Sequence, residues 1–216
     1  MNDRVIIVLN QKIKKYQSLP VGMMLCMIGG SIDADSFLLH GHVFAGLQTG
    51  NLAILGANFT NLTSAQIMNY IFALVAFVVG IVLVRACQEV FQSSYLPKIM
   101  LGIEFGLLLL VVFLSKILND YGLVGFMSLV GAIQLQEFQL VHYQSFTSLM
   151  MMGHIKKTID FTFNKKWSRV IANLLTLLSF ILGAIVTGVL LKIWGDLALS
   201  FAMVVLLILI LLPRRI

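Results

Sequence analysis

The stretch GGSIDADSFLLHGHVFAGLQTGN, residues 29–51, decides how this chain is read. It opens inside an apolar run, yet it carries Asp33, Asp35, His40 and His42. A carboxylate at mid-bilayer costs at least roughly 2.5–3.5 kcal/mol on insertion scales, so such groups face a protein interior or a wet cavity and mark paths for protons, ions or substrates. On an unbroken helix Asp33, Phe37 and His40 share one face, and Asp35 and His42 share another, rotated by about 200°. Asp33 is thus the leading candidate for a protonatable or cation-binding group. The structural alternative is a buried carboxylate held by hydrogen bonds to set helix registration. Gly29 and Gly30 weaken the helix and would free backbone groups for a cation or water.

The rest of the chain supports a membrane setting for that stretch. Its 216 residues are 59% hydrophobic and 11% charged, against about 45–50% and about 25% in soluble domains. Apolar segments fall at about 19–40, 66–87, 98–116, 122–142, 169–192 and 196–212; in lipid only helices satisfy the backbone of such runs. Two further segments, about 43–57 and 145–155, are too short and too polar for ordinary spans. Basic residues cluster at Lys12, Lys14 and Lys15, at Lys156, Lys157, Lys165, Lys166 and Arg169, and at Arg214 and Arg215. The positive-inside rule places these clusters, and both termini, in the cytoplasm. They abut hydrophobic spans with sparse aromatics, which argues against nucleic acid. VIIVL at 5–9 is too short for a signal-peptide core and fits an interfacial helix. Cys26 and Cys87 are too few and too distant for a redox or metal motif.

An internal repeat organises the spans. GGSIDADSF (29–37) aligns with VGAIQLQEF (130–138), TGNLAILG (49–56) with FTSLMMMG (146–153), and AFVVG (76–80) with SFILG (179–183). The expected architecture is an all-α integral membrane protein of about six transmembrane helices plus two short re-entrant or partial helices. It comprises an amphipathic segment at 1–18, a first repeat at 19–116 and a second at 122–213, the halves inverted as in many secondary transporters. An eight-span arrangement with parallel halves is the alternative; Arg85 and Lys98 against a lone Lys116 favour six. Gly80, Gly183 and Gly188 read as close helix-packing positions.

The repeat places Gln134 opposite Asp33, one neutral and one charged member of a candidate central site. Thr49, Gly50 and Asn51 offer a hydroxyl, an exposed backbone and an amide within a short segment, suited to substrate contact or to helix capping. The candidate substrate- or ion-binding set is therefore Asp33, Asp35, Thr49, Gly50, Asn51, Gln134 and Glu137. Glu104, nearer the inner interface, reads equally as a packing or snorkelling residue and as a site residue, and His154 as interfacial. His40, His42 and His142 are weaker metal candidates, because H-x-H on a helix splays its rings unless the helix breaks at Gly41. Motifs of hydrolases, metalloproteases, P-loop proteins and dinucleotide binders are absent, so neither an enzyme nor a cofactor is expected.

The order G-G-x-x-D-A-x-x-F, G-x-x-F, T-G-N, carried here by Gly29, Gly30, Asp33, Ala34, Phe37, Gly41, Phe44, Thr49, Gly50 and Asn51, resembles the YoaK-like family of bacterial multi-pass inner-membrane proteins, a domain of unknown function. Glu104 and the Gly131, Ile133, Gln134 set are similar to family features of the later spans. Leu135 and Thr147–Ser148 depart from the family's second-half pattern. The resemblance implies a six- or seven-span bacterial membrane protein and brings no substrate. The expected function is a small secondary transporter in the bacterial plasma membrane, proton coupling being an option, with Asp33 titrating and Gln134, Thr49 and Asn51 lining the site. A metal-binding protein or enzyme using Asp and His, and a non-transporting accessory protein, are the alternatives. The expected partners are the lipid bilayer and a small-molecule or ion substrate, with a homo-oligomer compatible and no nucleic acid.

Overall fold

The computed structural model describes residues 18–91, 93, 95–141, 144–145, 148–149 and 151–212. The N-terminal amphipathic segment (apart from Ser18), His142, Thr147 and the Arg214–Arg215 pair lie outside that set. Eight helices follow in order among the described residues: α1 Leu19–Leu39, α2 Gln48–Ala57, α3 Ser64–Val90, α4 Leu96–Leu114, α5 Asp120–Glu137, α6 Met151–Phe163, α7 Trp167–Trp194 and α8 Ser200–Leu211. A 3-10 turn, Gly195–Leu199, joins the last two, and Leu140–Val141 pairs antiparallel with Gln144–Ser145 in a minimal hairpin.

Local chemistry sets several of these boundaries. Pro20 and Pro97 open α1 and α4, where proline's missing N–H costs nothing. Thr63 and Gln66 form a reciprocal capping box at the start of α3. Asp120 places a negative charge in the first turn of α5, where the helix dipole favours it.

Among the described residues four helices are long and apolar enough to cross a membrane: α1, α3, α4 and α7. Helix α3 alone has 27 residues, about 40 Å at 1.5 Å per residue. The shorter apolar stretch Leu197–Leu211 and the more polar α5 fall outside that set. The surface carries the same message. Val75, Val78, Val79, Val82 and Leu83 on α3, and Ile171, Leu178, Ile181, Leu182 and Ile185 on α7, are exposed. Apolar stripes of this length on a monomer need a non-aqueous neighbour, and lipid supplies one. Polar residues turn inward instead: Ser31, Asp33, Asp35, Ser36, Glu104 and Gln134 are buried.

Helix α1 packs along α7, and α3 packs along α5; α4 and α8 meet each other and flank α5 and α1 respectively. Glycines permit the closest of these approaches. A Cβ on Gly30 would run into the Phe180 carbonyl, and one on Gly183 would run into the Met27 backbone. A Cβ on Gly80 would lie 2.6 Å from the Ala132 methyl. Gly80 and Gly183 are thus packing positions, as their sequence setting suggests, whereas Gly188 has only a Leu38 methyl near, at 3.8 Å. The expectation that Gly29–Gly30 would open the helix is corrected. Helix α1 runs unbroken through both, because the lost Cβ atoms are exchanged for backbone contact with α7 and with Ser148.

Two boundaries also move. The second short segment, expected at 145–155, becomes a helix only from Met151 and continues to Phe163. Lys156 and Lys157 therefore lie on α6 rather than in a loop, with Lys156 paired to Asp160 one turn on at 3.4 Å. The span expected to reach residue 142 stops at Glu137, where the Phe138 N–H still bonds to the Gln134 carbonyl.

Candidate functional site

The segment that follows α1 folds back along it. The His40 N–H caps Ser36, and Gly41 and His42 then take positive φ values of 76° and 58°. Glycine adopts that conformation freely, and histidine is among the residues that tolerate it. The turn reverses the chain. The Ala45 N–H donates to Ser36 Oγ at 3.1 Å, and the Gly46 N–H donates to Asp33 Oδ1 at 2.7 Å. The Ala45 and Leu47 N–H groups flank that bond and add their dipoles to the field at the Asp33 carboxylate. Successive backbone N–H groups around a carboxylate make an anion-holding concavity; here they bind the returning loop to the helix it left.

Asn51 completes that loop. Its Oδ1 accepts from the Phe44 N–H at 2.8 Å, and its Nδ2 donates to the Phe44 carbonyl at 2.7 Å and to Gln48 Oε1 at 3.1 Å. Gln48 Nε2 donates to the Ala45 carbonyl. Phe37 stacks on Phe44 with centroids 4.6 Å apart. The QTGN residues thus form the first turn of α2, whose N-cap is Leu47. Neither Thr49 nor Asn51 caps the helix; Thr49 is exposed, and Gly50 lies against Leu47 and Phe44. The α2 N-terminus lies beside Asp33, where its dipole favours negative charge.

A second buried polar group forms around Gln134. Gln134 Nε2 donates to Glu104 Oε2 at 3.2 Å, and Gln134 Oε1 accepts from Ser148 Oγ at 2.9 Å. Glu104 is fully buried, which corrects the interfacial snorkelling role. Leu149 then lies where the two returning segments meet: a Cβ on Gly29, Gly46 or Gly131 would come within 3.1, 2.6 and 3.3 Å of its side chain. Asp33 and Gln134 keep separate partners, and no hydrogen bond joins them. Glu137 lies apart from both, at the end of α5, accepting from Gln88 Nε2 of α3 at 2.8 Å.

His40 does not share Asp33's face as an unbroken helix would require. The helix ends at Leu39, and the ring swings between Asp35, with Nε2 3.5 Å from Oδ2, and Asp120, with Nδ1 3.2 Å from Oδ1. His42 instead packs edge-on against Phe37 and stays exposed. Although the helix does break at Gly41, it carries the two imidazoles apart. Among the described residues no group of three His, Cys, Asp or Glu is arranged to hold a metal. His154, expected at the interface, is buried between α6 and α7, with Nδ1 3.4 Å from both Asn173 Oδ1 and Thr176 Oγ1. Asp120, Ser36 and Ser148 were not legible as site residues; the only local signal was Asp120's place after Asn119 at a helix start.

The family model described as "Protein of unknown function (DUF1275)" matches residues 21–212. The chain belongs to this family. It is also 27% identical over 75 residues to the "UPF0700 transmembrane protein YoaK" of Bacillus subtilis (strain 168). That match spans 35% of this chain and 33% of the relative, a third of its length. No solved structure matches the chain significantly. The protein is accordingly a membrane protein of a YoaK-like family whose function is unknown.

Proposed function

We propose that the protein is a small secondary transporter of the bacterial plasma membrane. In this reading it crosses six times, with both termini cytoplasmic and two inverted halves. One observation carries the reading. The segments after α1 and α5 turn back into the bundle and meet at Gly46 and Leu149, beside buried Asp33 and the Gln134–Glu104 pair. Discontinuous helices meeting between inverted halves are where secondary transporters hold substrate and coupling ion. The reciprocal packing of α1 on α7 and of α5 on α3 supports the repeat. So do Gly183 and Gly80, which the repeat pairs and which each pack on the polar-bearing helix of the other half, Gly183 against Met27 and Gly80 against Ala132 and Leu129.

The substrate is a small molecule or ion taken between the returning segments, with Asp33, Asn51 and Gln134 around it and no covalent chemistry. A thermal-shift screen of detergent-purified protein against ions, amino acids, organic acids, nucleosides and sugars tests this. A ligand at 100 times its dissociation constant adds about 2.7 kcal/mol of stability, and a hit should then be taken up by proteoliposomes. Stabilisation by a ligand that proteoliposomes never accumulate, in either direction of gradient, would reject transport. A second reading, an accessory protein whose carboxylate is only a fastening, draws on the Gly46 N–H that already occupies Asp33 Oδ1. It expects uptake to be absent for every stabilising ligand.

A further inference from the structure

We infer that Asp120, His40 and Asp35 form a proton pathway from the surface at the C-terminal end of α1 to the buried interior of the bundle. The inference deepens the transporter reading, on which it rests for its purpose, by naming the proton as the coupling ion and locating its entrance.

The geometry has three graded steps. The Asp120 side chain is 52% exposed, that of His40 is 6% exposed and that of Asp35 is 1% exposed. One imidazole faces both carboxylates through its two different nitrogens. Nδ1 is hydrogen-bonded to Asp120 Oδ1 at 3.2 Å. Nε2 lies at an ion-pair distance of 3.5 Å from Asp35 Oδ2, a gap that must close for a proton to cross. Such two-sided placement is the arrangement a relay needs, because a neutral imidazole can accept a proton at one nitrogen while releasing one from the other. A proton arriving from the surface at Asp120 is taken up at Nδ1, giving an imidazolium between the two carboxylates, and the Nε2 proton then passes to Asp35. Asp120 ends as carboxylate, Asp35 as carboxylic acid, and the ring as the other neutral tautomer. The ring resets when the proton returns by the same route or when the ring turns over.

A purely structural tie explains less. Capping at His40 is done by its backbone N–H on Ser36, so the side chain is not needed to end the helix. A buried carboxylate within a span is also costly enough to require a use. Among the described residues the ionisable neighbours are few, and α3 brings Tyr70, whose hydroxyl donates to the His42 carbonyl at 3.3 Å. The turn contributes His40, with His42 directed at Phe37, and α5 contributes Asp120. Helix α7 brings buried, uncharged Thr187 to this region, its Lys192 being exposed. Of these, Asp35 and Asp120 are the charges that bear on His40, together holding its ionisation above the usual imidazole value against the opposing effect of burial.

The test follows proton arrival at Asp35 in the purified full-length protein, with no substrate present. Infrared difference spectroscopy after a pH jump reads the carboxylic C=O stretch, assigned by its loss in Asp35→Asn. His40→Ala should slow its appearance by about 100-fold or more, the scale of a positioned acid–base group, and free imidazole should restore the rate. Asp120→Asn, half-exposed and still able to start a helix, should slow it by about tenfold. Unchanged rates in both variants, slowing that imidazole does not relieve, or an Asp35 band that never responds to pH would each overturn the pathway. Since no substrate enters this assay, its failure leaves the transporter reading to the uptake experiment, and its success does not presuppose uptake.

Discussion

The Asp33 carboxylate accepts the Gly46 N–H at 2.7 Å across thirteen residues of sequence, and this bond fastens the segment returning from the end of α1 to the middle of that helix. Everything between the two residues is shaped by it. The Gly41–His42 turn makes the reversal, Ser36 holds Ala45 one step earlier, and Asn51 ties Phe44 to the first turn of α2.

Loss of the acceptor at Asp33 should therefore cost stability. Asp33→Ala leaves the Gly46 N–H buried without a partner, a penalty of about 1–3 kcal/mol, more for a charge-assisted bond. Asp33→Asn keeps one acceptor oxygen and should cost less. Denaturant unfolding in detergent ranks the three proteins; equal stability of Asp33→Ala and wild type would sink the fastening role.

The helix pairs should respond to glycine changes in a position-dependent way. Gly183→Ala meets the Met27 backbone and Gly30→Ala meets the Phe180 carbonyl, neither of which can move aside. Overpacking of this kind costs about 1–3 kcal/mol or more. Gly102→Ala and Gly106→Ala on α4 have open space and should be neutral or gain up to about 1 kcal/mol from helix propensity. Melting temperatures that fail to separate the two groups would contradict the packing.

Stability should depend on pH through His40, which lies just past the α1 span. Burial opposes its protonation, but hydrogen bonding and charge from Asp35, then Asp120, outweigh it and raise its ionisation above 6.5. A raised folded-state value means that the protonated form favours the fold. The contribution is complete below about pH 6.5 and is lost as the pH rises through the folded-state value. The unfolding midpoint of the wild type should fall over that window, while that of His40→Gln should stay flatter. Parallel curves for the two proteins would show that another group is responsible.

Glu104 should be replaceable by an amide and not by a hydrocarbon. Its Oε2 satisfies Gln134 Nε2, whereas Oε1 has no partner among the described residues. Glu104→Gln should be close to neutral if its oxygen keeps that bond. Glu104→Leu leaves a buried amide donor unmet and should cost about 1–3 kcal/mol. Thermal unfolding of both variants decides between this and a role in which the charge itself is needed for folding.

The proposed inverted six-span arrangement makes a labelling prediction. After removal of Cys26 and Cys87, a cysteine at exposed Asn61 should react with an impermeant maleimide from the outer face of the membrane. A cysteine at exposed Asn164 should react only from the cytoplasmic face. Labelling of both from one side would fit eight crossings instead of six.

Sequence alone determined the membrane setting, the helical class and the residues that repay attention. Hydrophobic length and the cost of burying backbone polar groups in lipid leave helices as the answer, and a charged residue in such a run stands out at once. Close packing at Gly80 and Gly183 was legible for the same reason, since small residues in spans have few other uses. What each polar residue touches was decided only by tertiary structure. Helical periodicity put His40 with Asp33, but the helix stops one residue earlier and the freed ring turns to Asp35 and Asp120. Gly29 and Gly30 looked like a weak point until α7 and Ser148 filled the space. Thr49 and Asn51 looked like caps until the loop folded back and gave Asn51 the backbone of Phe44. Periodicity describes a residue's direction on its own helix. Partners across 13, 30 or 80 residues depend on where chain reversals bring other segments, and a positive-φ turn at Gly41–His42 is set by the contacts it enables.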